Sequence, residues 1–209
     1  MKKSILYSLA FLALMLTGIS CTKGFLELEP KTGLTEANYY KNEGQAFLAV
    51  TAVYDAYALQ NWQMPAVMGD IWSDDAFCGG SDATDMAQWQ DMEMFKMEAE
   101  NNSSSDLWNR CYAGIYRANL YLQKQDGVDW VTDGLKERFE AEVKFLRAYF
   151  YWDLVRHYGW VPLITDVLPS VEDYKSIPQS TPTEIFTYIA GDLLAAVNVV
   201  PTEIPASEK

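Results

Sequence analysis

Histidine is nearly missing from this chain of 209 residues, which holds only His157. Cysteine is scarce, with three, and 16 basic residues face 29 acidic ones for a formal charge of −13. Each shortage excludes something. Zinc sites built from paired cysteines and histidines have too few ligands, and no HExxH, P-loop or GxSxG string occurs. So acidic a surface repels phosphate backbones, and without a basic patch no nucleic-acid partner is expected. The apolar run at 5–16 falls short of the roughly twenty residues a spanning helix needs. His157 sits near the end of an apolar stretch, where a structural role or a helix-dipole partnership outweighs catalysis. Carboxylates are so numerous that pairs of them cannot by themselves argue for a glycosidase. Neither a catalytic centre, a bound metal nor a cofactor is expected.

Apolar residues make up 49% of the chain, enough for one domain with a sizeable core. Aromatic residues make up 14% of the chain, with seven Trp and thirteen Tyr. Many can serve the core, but such rings also suit stacking on sugars or other flat apolar ligands. The start of the chain reads as an export signal. Lys2 and Lys3 precede the apolar run, and Gly18, Ile19 and Ser20 lead into Cys21. Small residues before a cysteine suit a lipobox, in which the thiol is acylated; here Leu16 stands five positions ahead rather than three. An ordinary signal with a chance cysteine is the alternative. Residues 22–40 read as a tether, kept irregular by Pro30 and Gly33, with one short helical turn at 35–40.

Four substantial helices with long connections are expected beyond it. The spacing predicts the first over 43–59, with Phe47, Val50, Tyr54 and Tyr57 on its apolar side and Ala46, Ala49 and Val53 nearby. A second starts at Ser105 or Asp106 and runs to Lys124, burying Trp108, Cys111, Tyr112, Ile115, Asn119 and Leu122, before Asp126-Gly127. The third organises the rest. Leu135, Phe139, Val143, Leu146, Phe150 and Leu154 step by four or three, one face of a helix from Asp133 to Tyr158. Thr132 or Asp133 is its expected cap, and Gly159 with Pro162 its stop. A second apolar face in its later half (Phe145, Ala148, Tyr149, Trp152, Val155) implies enclosure on all sides. Arg147, Asp153 and Arg156 then need partners, because an unpaired buried charge is very costly. The fourth opens with the capping box Thr181-Pro-Thr-Glu184 and runs to about Val199, with Ile185, Ile189, Leu193 and Val197 at four-residue steps.

Between 64 and 97 periodicity fades and a loop is expected. Trp72, Asp74, Asp75, Phe77, Gly79-Gly80, Asp82, Asp85, Gln88 and Trp89 crowd together there, the glycines permitting a sharp reversal at positive φ. Rings beside carboxylates and amides are what a sugar site uses. Tryptophans in a core under solvated acids is the competing reading, and calcium binding by the four acids a third, although their spacing is not that of an EF-hand. Cys78 and Cys111 either pair outside the cytoplasm or stay free.

The run EVKFLRAYFYWDLVRHYGWVPLI at 142–164 resembles the signature helix and turn of SusD/RagB-type nutrient-binding lipoproteins, whose pattern is FLRAYYYFDLVRxYGxVPLI. Phe25-Leu-Glu-Leu-Glu-Pro30 is similar to the FLDxxP segment after their cysteine, and Trp108 with Tyr116-Arg-Ala-Asn119 to a second family pattern. The resemblance implies an all-α, SusD-like fold of tetratricopeptide-like helix pairs, although no 34-residue repeat is visible, and makes this the N-terminal part of a longer protein. It implies a lipoprotein signal peptide at 1–20, a tether at 21–41 with lipidation of Cys21, and a helical domain at 42–209. It also implies a non-enzymatic outer-membrane protein, lipid-anchored and facing the cell surface, that binds an oligosaccharide or other nutrient and delivers it to a SusC-like TonB-dependent transporter. Trp72, Asp74, Asp75, Gln88 and Trp89 become the candidate ligand contacts. A surface glycoside hydrolase and a scaffold that binds only protein are the alternatives.

Overall fold

The computed structural model describes residues 39–58, 64–73, 75–98, 102–201 and 203, without the side chains of 64–66 and 102–103. The export signal, Cys21, the tether and Asp74 lie outside the described residues. Residues from Tyr40 onward form one compact unit. Its elements are α1 (Glu43–Ala58), α2 (Met64–Trp72), α3 (Ala87–Glu93), α4 (Asn102–Lys124), α5 (Leu135–Tyr158), β1 (Val161–Pro162), α6 (Val171–Lys175), β2 (Gln179–Ser180) and α7 (Pro182–Ala196). The two short strands pair antiparallel, Val161 opposite Ser180.

Helix α5 is the hub, packing on α1, α4 and α7. Most of its predicted stripe is core: Phe139, Val143, Leu146, Phe150 and Leu154 are buried, and Leu135 at its start is part-buried. The helix stops at Gly159, whose φ of 72° lies where only glycine rests without strain. Its start departs from expectation. Gly134, at φ 75°, occupies the capping position and no side chain caps it. Thr132 is engaged elsewhere, its hydroxyl donating to Glu43 Oε2 at 2.9 Å. The N–H groups of Val131 and Thr132 donate to Glu43 Oε1 at 2.8 and 2.6 Å, so the first turn of α1 clamps the α4–α5 connection.

The expected faces of the other helices shift. Helix α1 buries Ala46, Ala49, Val50, Val53 and Ala56, whereas Phe47, Tyr54 and Tyr57 stand exposed. Small side chains let α1 approach α4 closely, and the aromatics close the margins: Phe47 meets Phe139 and Tyr57 meets Tyr149 edge-on at 5.1 Å. Helix α4 begins at Asn102, ahead of the predicted start, and buries Leu107, Cys111, Ile115, Ala118, Asn119 and Tyr121; Trp108, Tyr112 and Leu122 lie only part-buried. At Gly114 the helices all but touch, since a Cβ there would lie 2.3 Å from Phe150 Cε2. Helix α7 has the predicted capping box, with both reciprocal bonds made, but ends at Ala196 and continues only as a turn.

The buried charges of α5 find the partners they require. Arg147 grips Asp192 of α7 with two bonds, at 2.8 and 2.9 Å, and donates to Asn119 Oδ1 of α4 at 2.7 Å. Asn119 in turn donates to the Ile164 carbonyl at 2.9 Å, as does the Tyr151 hydroxyl at 2.8 Å. This net ties three helices to the segment leaving β1. Asp153, fully buried, accepts from Arg110 at 3.1 Å and from Arg156 at 2.7 Å. Enclosure of α5 is incomplete, however: Phe145 and Trp152 are 48% and 40% exposed.

Candidate functional site

The 64–98 segment is more ordered than a loop. Two short helices, α2 and α3, pack on each other and on α4. Helix α3 is not announced by a cap: it follows Met86 at φ 51°, with no side-chain bond at its start. Trp72 is the last residue of α2, while Gln88 and Trp89 ride on α3; all three are part-buried. Asp75 is exposed in the connection between them. Four of the five candidate residues therefore sit on two adjoining helices and their linker, and Asp74 is outside the described residues.

The other acids of the cluster are spent on the turn itself. Asp82 Oδ1 accepts from the Thr84 hydroxyl at 2.6 Å and from the Thr84 N–H at 2.8 Å, and these two bonds, in that order, hold its carboxyl below the ordinary range. Asp85 Oδ2 accepts from the Ser81 N–H at 3.0 Å. Gln90 Nε2 donates to the Asp82 and Asp85 carbonyls at 2.9 and 2.6 Å, closing 81–90 on itself. No group of three acids, cysteines or histidines among the described residues could hold a metal ion, and Asp74, one of the four acids of the calcium reading, lies outside them. Nor do Gly79 and Gly80 take positive φ; Met86 and Phe95 do. Gly80 is needed for closeness, because a Cβ there would press on Asp85 and Gln90 at 3.1 Å.

Two rings beyond the five candidate contacts are the most open. Phe77 is 83% and Phe95 75% exposed, on either side of the closed turn. Phe77 directly precedes Cys78-Gly-Gly, and an aromatic beside flexible, unhelical sequence was the available signal. The arrangement is a small scaffold presenting half-buried tryptophans, exposed phenylalanines, an amide and a carboxylate, suited to weak stacking and hydrogen bonding. A mixed cleft of about 590 Å³ lies apart from it between α1 and α5, lined by Phe47, Tyr54, Arg138 and Glu142 among others. There the Tyr54 hydroxyl donates to Glu142 at 3.3 Å, and burial followed by the Glu142 charge pushes its pKa to about 12.

The groups with most intrinsic reactivity are tied down. His157 Nδ1 lies 2.7 Å from the Asp153 carbonyl one turn back, and burial lowers its pKa. Cys111 is a free thiol in the core, pushed up to about 12 by burial, and Cys78 is free and part-buried, so the two do not pair.

Comparison with known proteins agrees with this architecture. Residues 24–208 match a family model, SusD-like_3, described as starch-binding and associating with the outer membrane. SusD-like protein P38 of Formosa agariphila is 27% identical over 195 residues, spanning 92% of this chain and 37% of that protein. A laminarin-binding SusD-like protein superposes with a TM-score of 0.71 at 31% identity, over 81% of this chain and 37% of its own. A SusD homologue from Bacteroides thetaiotaomicron superposes with a TM-score of 0.69 at 26% identity, over 79% and 32%. The chain thus spans about a third of the length of the relatives it matches. With the signature run folded as the hub helix and turn of a mostly helical unit, the chain belongs to the SusD-like family.

Proposed function

We propose that this protein captures oligosaccharides at the outer surface of the cell and passes them to a SusC-like TonB-dependent transporter, breaking no bond. Membership of a family described as starch-binding and outer-membrane-associated carries the reading, and a laminarin-binding relative of the same fold supports it. Residues 1–20 are the signal peptide and Cys21 the acylated anchor of a tether ending near residue 41; two or more acyl chains make such anchoring stable. Trp72, Asp75, Gln88 and Trp89, with Asp74, form this chain's share of the contact surface, where rings stack on C–H faces and polar groups orient hydroxyls. The chemistry suits holding rather than turnover: the buried carboxylates Asp153 and Asp192 are each neutralised by arginine.

The test is affinity electrophoresis of the protein, and of W72A and W89A variants, through gels containing laminarin, starch or other glycans. Retardation that weakens in both variants is expected. Unchanged retardation in both would remove α2 and α3 from the site, and no retardation by any glycan would remove the sugar. Co-purification of a TonB-dependent transporter from detergent-solubilised outer membrane tests the hand-off.

A further inference from the structure

Two bulky residues flank α3 in a conformation that glycine favours. Phe95 has φ 52° and Met86, at the other end of the helix, φ 51°, a region such side chains enter only at a cost. Backbone bonds pin Phe95 there: the N–H groups of Met94, Phe95 and Lys96 donate to the carbonyls of Gln90, Met92 and Asp91 at 3.0, 3.0 and 2.8 Å. Met92, fully buried, anchors the inner face of α3, and three residues on Phe95 is turned out to solvent. Phe77 is held near the same end of the helix, because the N–H of Cys78 donates to Glu93 Oε2 at 3.3 Å. A ring turned outward by a strained backbone adds nothing to the core, and outliers of this kind cluster where a ligand is held.

A phenyl ring has no hydrogen-bonding atom, so it can hold a sugar only against the C–H face of a pyranose. The charge around these two rings is nearly of one sign: residues 75–98 hold six acids and one base. Such a field repels carboxylated and sulfated sugars and leaves a neutral chain unaffected. We infer, on the footing of oligosaccharide capture as proposed, that Phe77 and Phe95 are further contact residues of the glycan site. They stack on the ring faces of a neutral oligosaccharide, and the acids around them exclude anionic ones.

Titration calorimetry on the protein purified from its outer membrane tests this, with oligosaccharides of laminarin, starch and mannan as neutral probes and of alginate as the anionic one. Phe77→Ala and Phe95→Asn should each raise the dissociation constant of the tightest neutral probe roughly three- to tenfold, the range of one ring-stacking contact. Asparagine tolerates positive φ, so F95N should melt no lower than the parent. Affinity within about twofold of the parent in either variant would overturn the inference and, with the parent still binding its glycan, leave the capture reading standing. A loss of affinity in F95N that only accompanies a lower melting temperature would mark a packing role and overturn it too, as would alginate bound as tightly as the neutral probes. A parent that binds none of the four would overturn the capture reading and this inference together.

Discussion

At the scale of single residues, two positions carry more than their type suggests. Gly114 lies where α4 and α5 touch, with no room for a methyl group beside the buried ring of Phe150. Gly→Ala in a helix ordinarily gains about 1 kcal/mol; here overpacking should outweigh that, with a net loss of about 1–3 kcal/mol by urea denaturation. A midpoint raised by G114A would show that Phe150 yields easily. Arg147 is the second. Removing its partner in D192A leaves a guanidinium buried with only Asn119 and the Tyr188 face, and should cost about 3–5 kcal/mol. The double substitution R147M/D192L should recover most of that loss, because the pair itself contributes little beyond what two well-packed apolar residues would. The need for such partners was legible in the sequence, from charges set on an apolar helix. Which residues would answer was not, since Asp192 lies 45 positions away and only the fold brings it near.

At the scale of elements, legibility tracked length and punctuation. The long hub helix and the capping box of α7 were evident from spacing alone. Helices α2 and α3, of nine and seven residues, have too few turns to show a period, and α3 lacks a side-chain cap. Faces misled where the pattern was too regular. Four-residue steps gain about 40° each on a helix of 3.6 residues per turn, so the stripe Ile185, Ile189, Leu193, Val197 winds off the interface after Ile189. The true inner face is Ile185, Ile189, Asp192 and Ala196, which no reading of apolar residues finds because one member is an acid. The cap of α5 was misassigned because Thr132 answers to Glu43, a distant residue.

That clamp makes a pH prediction. Bonds from the Thr132 N–H first, and then from the Val131 N–H and Thr132 hydroxyl, hold the Glu43 carboxyl below its ordinary 4.5. A carboxyl depressed by folding contributes stability above its unfolded value and loses it as pH falls through the folded one. E43Q should therefore be less stable than the parent at pH 7, with the difference shrinking below pH 4.5 as the parent's own carboxylate is protonated. Thermal melts from pH 7 to pH 3 will show it, and a difference constant across that range would mean that the clamp does not depend on charge. Glu184, held low by the Thr181 N–H and then its hydroxyl, should behave alike at the start of α7 in E184Q.

At the scale of the whole molecule, the family was legible in one run of residues and its membership is secured by the match across 24–208. The candidate site was legible only as a crowd of suitable side chains. Folding separates that crowd into acids that close a turn (Asp82, Asp85) and residues carried on α2, α3 and their linker (Trp72, Asp75, Gln88, Trp89), and it exposes Phe77 and Phe95 alongside. Composition cannot make that division, because it depends on which carboxylates find backbone N–H groups within a few positions. Capture without chemistry, as proposed, can be checked by isolating the protein from its own outer membrane, incubating it with the glycan that retards it most, and assaying new reducing ends alongside retention. Retention with no reducing ends above a protein-free control is the predicted result; reducing ends that accumulate in proportion to the protein added would contradict it.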